Sequence, residues 1–311
     1  MTYSIVALDP DTRELGIGVA TSGPSVGAKV PWVEPGVGAV ATQSFTNMDL
    51  GPLILDRLRD GHTAPVALRE LVAADPGREV RQIGVVDLAG LSAAYTGRDC
   101  VAQAGHVSAS HISVQANMVE RADTWLVMQA AFSAATGDLA DRLLQALWAA
   151  EREGGDIRGT RSAALLVAPG ASGAPGSQAS KPWVRRFDLR IDMSIQPLED
   201  LARLLRSARA FEALDAAMDA NRAGQLEVAL EGIAAAHELA PDDAQVGFWH
   251  AIAMACSGRP DEAGPMMQAA LRMEPRMAEF GHRYVEAGHG ALMDTALRAV
   301  PRPPRPGRRE G

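Results

Sequence analysis

Thr2-Tyr3-Ser4-Ile5-Val6-Ala7-Leu8, then Asp9-Pro10-Asp11-Thr12-Arg13-Glu14, then Leu15-Gly16-Ile17-Gly18-Val19-Ala20-Thr21 form the stretch on which the fold turns. Two β-branched, apolar runs flank a segment of turn chemistry and read as an opening hairpin. Neither run has a clean polar face, the pattern of strands covered on both sides. Gly16 and Gly18 remove side chains, which marks close approach of another backbone or a ligand. Thr2 opens the first strand directly after Met1. Removal of Met1 would leave hydroxyl and free α-amine on one residue, a self-contained nucleophile and base. The plainer alternative is that Thr2 only begins a strand.

Outward from the hairpin, Gly23 to Gly36 reads as loop and Val37 to Gln43 as a third strand. Leu53 to Asp60 and Ala64 to Ala74 carry helical spacing, punctuated by Gly61 and Pro76-Gly77. Arg81 to Asp87 and Leu91 to Tyr95 read as a second hairpin turned at Ala89-Gly90. Ala122 to Ala135 and Asp138 to Glu153 are amphipathic helices. Arg161 to Ala168 and Val184 to Asp192 are strands, joined by a Gly/Ala/Ser/Pro loop from Pro169 to Pro182. Strands, helices and strands in this order indicate a layered α+β domain over 1–197.

From Leu198 the chain turns Ala-rich and helical through Val300, with a repeat. Gly224 and Gly258 are 34 residues apart, as are Ala229 and Ala263, Ala236 and Ala270, and Pro241 and Pro275. This resembles the tetratricopeptide repeat, with Ala217 and Ala251 at two more of its small positions. Ala213 and Gly247 stand where that repeat usually has Trp. Two copies are fewer than a free-standing array needs, so the helices of 198–300 are expected to lean on the first domain or on another subunit. The Pro- and Arg-rich tail 301–311 reads as disordered.

The 311 residues are 47% hydrophobic and 22% charged with net charge −8, an ordinary globular composition that argues against a nucleic-acid surface. No apolar run reaches the ~18–20 residues of a membrane helix, and no signal peptide is visible. Cys100 and Cys256 are the only cysteines, and no disulfide framework follows. A cytoplasmic protein is expected, with no nucleic-acid or membrane partner.

Several segments in order carry a family resemblance. They are Thr2-Tyr-Ser-Ile-Val-Ala, Val30-Pro-Trp32, Gly36-Val-Gly-Ala-Val-Ala-Thr-Gln43, Gln82-Ile-Gly-Val-Val-Asp87, Thr96-Gly97, Ala104-Gly-His106, Gln115-Ala-Asn-Met118 and Gly154-Gly-Asp156. Through about residue 195 the chain resembles the bacterial family catalogued as domain of unknown function 1028, which is placed by fold among the N-terminal nucleophile (Ntn) hydrolases. The resemblance implies a four-layer αββα sandwich, followed here by the helical repeat, and amide-bond hydrolysis on a small amide or peptide. Homo-oligomers are common in that superfamily.

Within this frame Thr2 is the candidate nucleophile. Gln43 and Asn47, after the third strand, are candidates for an oxyanion hole, with local turn bonding as the alternative. Ser4 shares the face of Thr2 on the strand. Ser22 is a candidate for orienting the amine, and Lys29 reads as a solvated loop lysine. His106, Gln115 and Asn117 are candidates for substrate contact, the last two alternating on a short extended segment. His106 and His111 match no helical ligand pair and have no second Cys nearby, so neither metal nor cofactor is expected. Gly154-Gly155-Asp156 with Arg158 and Arg161 reads as a helix stop with surface arginines. The rival to the hydrolase is a non-catalytic scaffold that binds a peptide or subunit through its helical repeat.

Overall fold

The structure, a computed structural model, describes residues 2–169, 181 and 183–301. Apart from residues 169, 181 and 301, the loop expected over 169–182 and the tail expected over 301–311 lie outside it. The chain divides into two compact units after Arg203.

The first unit runs β1 (Thr2–Leu8), β2 (Leu15–Thr21), β3 (Pro31–Glu34), β4 (Gly38–Ser44), α1 (Leu50–Arg59), α2 (Ala64–Ala74), β5 (Arg81–Asp87), β6 (Ser92–Thr96), β7 (Gly105–Ala109), β8 (Ile112–Asn117), α3 (Thr124–Ala134), α4 (Leu139–Arg152), β9 (Ser162–Ala168) and β10 (Phe187–Ile191), and enters α5 (Pro197–Arg222). Among the described residues two sheets form, a six-stranded one in the order β10-β9-β2-β1-β8-β7 and a four-stranded one in the order β3-β4-β5-β6. Every strand pairing is antiparallel. The opening hairpin closes as its residues suggest, with Asp9 Oδ1 accepting from the Asp11 and Thr12 N–H groups (2.9 Å each).

β1 sits inside the larger sheet, between β2 and β8, and is buried along its whole length. Period-two alternation then sends its residues to two different layers. Val6 and Leu8, with Leu15, Ile17 and Val19 of β2, pack against Val33, Ala39, Ala41 and Val86 of the other sheet. The opposite face meets α4. A Cβ at Gly16 would lie 2.6 Å from Leu143 Cδ1 and 2.9 Å from Leu139 Cδ2, and one at Gly18 would lie 3.3 Å from Leu147 Cδ1. The glycines thus admit helix side chains, and neither a ligand nor a backbone is what approaches. On the outer face of the smaller sheet, Val40, Ile83 and Val85 bury with Ile54, Leu55 and Leu58 of α1 and Ala64, Ala67 and Leu68 of α2.

Two strands escape the sequence pattern. β3 falls in the stretch read as loop, and it is an edge strand begun by Pro31, where a missing N–H is tolerated. β7 is the opposite kind of omission. Gly-His-Val-Ser-Ala is an exposed edge with a single large apolar residue, so it shows no hydrophobic alternation.

The second unit contains the rest of α5, then α6 (Leu226–Leu239), α7 (Ala244–Cys256), α8 (Pro260–Met273), α9 (Met277–Glu286) and α10 (Asp294–Arg298). α8 begins and ends 34 residues after α6. Gly224 and Gly258, before each of the two, both take the left-handed conformation (φ 78° and 75°). Ala217, Ala229, Ala236, Ala251, Ala263 and Ala270 are all buried. The missing Trp positions are offset by a ring cluster: Trp249 lies edge-on to Phe248, Phe280 and Tyr284 at centroid distances of 5.6, 6.0 and 5.1 Å. Among the described residues no helix is long and apolar enough to cross a membrane.

Two measurements test this packing. Gly16→Val should destabilise the chain by about 2–3 kcal/mol in urea unfolding, because its methyls meet Leu139 and Leu143. Gly23→Ala, with nothing near its added Cβ, should stay within about 0.5 kcal/mol. In the second unit the His237 and His250 rings lie 4.3 Å apart, and neither Nδ1 has a partner among the described residues. Burial, then the neighbouring His237 and Arg259, lowers the His250 pKa below its ordinary value. The unfolded chain therefore takes up this proton more readily, and stability should fall as pH drops below the ordinary histidine value of about 6.5. His250→Phe should reduce that slope in thermal unfolding.

Candidate active site at the start of the first strand

The inter-sheet layer is apolar at one end and polar at the other. At the polar end the register of the larger sheet sets Thr2 opposite Asn117 and Ser4 opposite Gln115. In the facing sheet Gln43 stands opposite Gln82. Ser4, Gln43, Gln82, Gln115 and Asn117 are each at most 1% exposed. Polar groups so buried are stable only with their hydrogen bonds made.

They are made across the layer. Ser4 Oγ donates to Gln43 Oε1 (2.6 Å), and Gln115 Nε2 donates to Ser4 Oγ (2.6 Å). Gln43 Nε2 lies within donating distance of Thr2 O (3.1 Å), Gln82 Oε1 (2.7 Å) and Gln115 O (3.2 Å). Asn117 Nδ2 reaches Gln82 Oε1 (2.9 Å) and Thr2 O (3.4 Å). Gln82 Nε2 donates onward to Thr96 Oγ1 (2.9 Å), Gly105 O (3.1 Å) and Ala116 O (2.9 Å). Gly84 makes room for this set: a Cβ there would lie 2.0 Å from Gln115 Oε1.

Thr2 itself is buried, with Oγ1 3.2 Å from Thr21 Oγ1 on the neighbouring strand. On the other face of β1 Tyr3 is anchored. Its hydroxyl donates to Glu151 Oε2 (2.5 Å), which also accepts from Thr160 Oγ1 (2.8 Å). Burial first, then the Glu151 charge, pushes the Tyr3 pKa well above its ordinary value, so the phenol stays protonated.

Of the eight residues singled out in the sequence, Thr2, Ser4, Gln43, Gln115 and Asn117 share this network. His106 reaches its edge: Nδ1 lies 2.8 Å from Thr96 Oγ1, which accepts from Gln82. Ser22 is placed through its backbone, its N–H donating to Asp156 Oδ2 (2.7 Å). Asn47 turns its Oδ1 to the Asp49 N–H (3.1 Å), the local turn bond that was the alternative for it.

Sequence reasoning missed Gln82 and Asp156. A Gln within an apolar strand was the available signal for the first. Asp156, within the stretch read as a helix stop, has a role that reading did not assign. It is buried, bridges to Val119 and accepts from the Ser22 and Arg158 N–H groups. Gly154 and Gly155, both at positive φ, end α4 and turn the chain so that this carboxylate points inward. A cavity of about 330 Å³ lies elsewhere in the unit, lined by Trp32, Glu34, Arg59, Arg185 and Arg190 among others, and Thr2 is not part of its wall.

Residues 2–201, which span both sheets, match the model of the family of unknown function DUF1028. The chain belongs to this family. Among solved structures it is similar to the DUF1028 protein SPO2555 from Silicibacter pomeroyi, with a TM-score of 0.58 and 32% identity over 67% of this chain and 88% of that one. No curated protein matches it. The DUF1028 match thus covers every residue of the buried network.

Gly84→Ala tests the network as a unit. The new methyl must expel the Gln115 amide, which also receives Ser113 Oγ (2.9 Å). The expected loss of stability is about 2–3 kcal/mol by chemical denaturation.

Proposed function

We propose that this DUF1028 protein is an N-terminal-nucleophile amidohydrolase acting on a small amide or peptide bond. Thr2 is its nucleophile once Met1 is removed. The observation that carries the reading is the clamp on Thr2. Its carbonyl oxygen is held by two buried side-chain amides, Gln43 and Asn117, while Tyr3 is tied to Glu151 on the opposite face. A nucleophile whose backbone is fixed beforehand needs little reorganisation to attack. The stacking of two antiparallel sheets with helices on both outer faces agrees with the αββα sandwich of the Ntn superfamily.

In the proposed reaction Thr2 Oγ1 attacks the amide carbonyl carbon as its proton passes to the α-amine. The tetrahedral adduct collapses when the amine returns that proton to the leaving nitrogen, which departs as an amine and leaves an ester on Thr2. Water, deprotonated by the same α-amine, then attacks the ester and releases a carboxylic acid and the free hydroxyl. The bonds made by Gln43 suit it to holding the nucleophile's backbone.

The 34-residue offset of α6 and α8 supports a tetratricopeptide-like extension. A non-catalytic scaffold that binds a peptide or a second subunit there is the alternative role for the chain.

Intact-mass measurement of the protein should show loss of Met1. Wild type should then turn over at least one member of an amide library that Thr2→Ala does not. Retained Met1, or equal turnover by the two proteins, sinks the mechanism.

A further inference from the structure

Main-chain carbonyls can only accept hydrogen bonds, and here they dictate the orientation of the Gln82 amide. Gly105 O and Ala116 O must face the nitrogen of Gln82, so Gln82 Oε1 points the other way. There it meets Gln43 Nε2 and Asn117 Nδ2. A reversed Asn117 amide would set two acceptor oxygens against each other. Gln82 thereby decides which end of Asn117 is which. The end left over, Asn117 Oδ1, is buried and has no hydrogen-bond partner among the described residues. An orphaned buried acceptor is destabilising and calls for a donor. Asn117 is the register partner of Thr2, and its Nδ2 already touches the Thr2 carbonyl.

We propose that Gln82 is a positioning residue that holds the Asn117 amide so that Oδ1 accepts an N–H of the Thr2 α-amine. This rests on the N-terminal-nucleophile reading, because that amine exists only after Met1 is gone. An acceptor on one N–H fixes the rotation of the amine about its N–Cα bond. That rotation decides whether the amine lone pair reaches the hydroxyl of the same residue. The contact also favours the protonated amine over the neutral one, so it raises the amine pKa.

The test is the pH dependence of reductive methylation at the N-terminus, read by peptide mass spectrometry on the folded full chain. Only Lys29 and Lys181 compete for the reagent. Asn117→Ala should lower the midpoint of the Thr2 amine by about one pH unit. Gln82→Met, close in shape and without an acceptor, should lower it by a smaller amount, and it should add nothing in the Asn117→Ala background. An equal effect of Gln82→Met in both backgrounds, or no shift from either variant, overturns the proposal. If Gln82→Met does not fold, Asn117→Asp reads the same contact: a carboxylate oxygen at that position should raise the midpoint, and an unmoved midpoint overturns the proposal. The intact mass separates the two failures. Retained Met1 defeats the hydrolase reading and this inference with it, whereas lost Met1 with unmoved midpoints defeats this inference alone.

Discussion

The hydrogen bonds of Gln82 are the constraint on which the polar end of the first unit depends. Its oxygen gathers the amides of Gln43 and Asn117, and its nitrogen satisfies carbonyls of β7 and β8 in the opposite sheet. One side chain therefore ties four strands across two sheets. Such a network is stable only when nearly every donor and acceptor is matched, since the low dielectric that strengthens its bonds also penalises each unmade one. Slippage of β1 by one residue would move Ser4 to the helix face and Tyr3 into the amide layer. The network thus specifies register as well as adding stability.

The remainder of the inter-sheet layer is ordinary apolar packing of Val6, Leu8, Leu15, Ile17 and Val19 against the second sheet. The division of labour is spatial. Apolar burial supplies the bulk of the driving force at one end, and directional bonds at the other end immobilise the start of β1. Tyr3 with Glu151 and Thr160, and Asp156 with the backbone of Ser22, extend that immobilisation to the far face and to the loop after β2. A rigid strand terminus carrying a hydroxyl is what an attacking group requires, and this connects the packing to the proposed chemistry.

The helical unit is built on a different principle. Buried alanines at the 34-residue spacing let helices approach closely, and the rings of Phe248, Trp249, Phe280 and Tyr284 fill the space between them. Asp243 caps α7, accepting from the Gln245 and Val246 N–H groups (2.9 and 3.0 Å). Stability in this unit comes from repeated local packing, without a central polar network comparable to that around Gln82 among the described residues.

By itself the sequence determined the opening hairpin, the main helices and the repeat. Each is a local pattern, written as β-branched runs, helical spacing, turn residues or a fixed period of small side chains. It also picked out Ser4, Gln43, Gln115 and Asn117, the four residues that meet around Thr2. Only the tertiary structure decided how those residues are used. Ser4 bonds Gln43 and Gln115, 39 and 111 residues away, and no local period records which strands stack face to face. For the same reason Gln82 and Asp156 were passed over, and Gly16 and Gly18 were credited to a ligand or backbone instead of α4. Asn47, close to Gln43 in sequence, makes a turn because the chain leaves β4 before reaching it. The hydrogen-bond directions were never in the sequence, since an amide can point either way until neighbouring carbonyls from another strand choose for it.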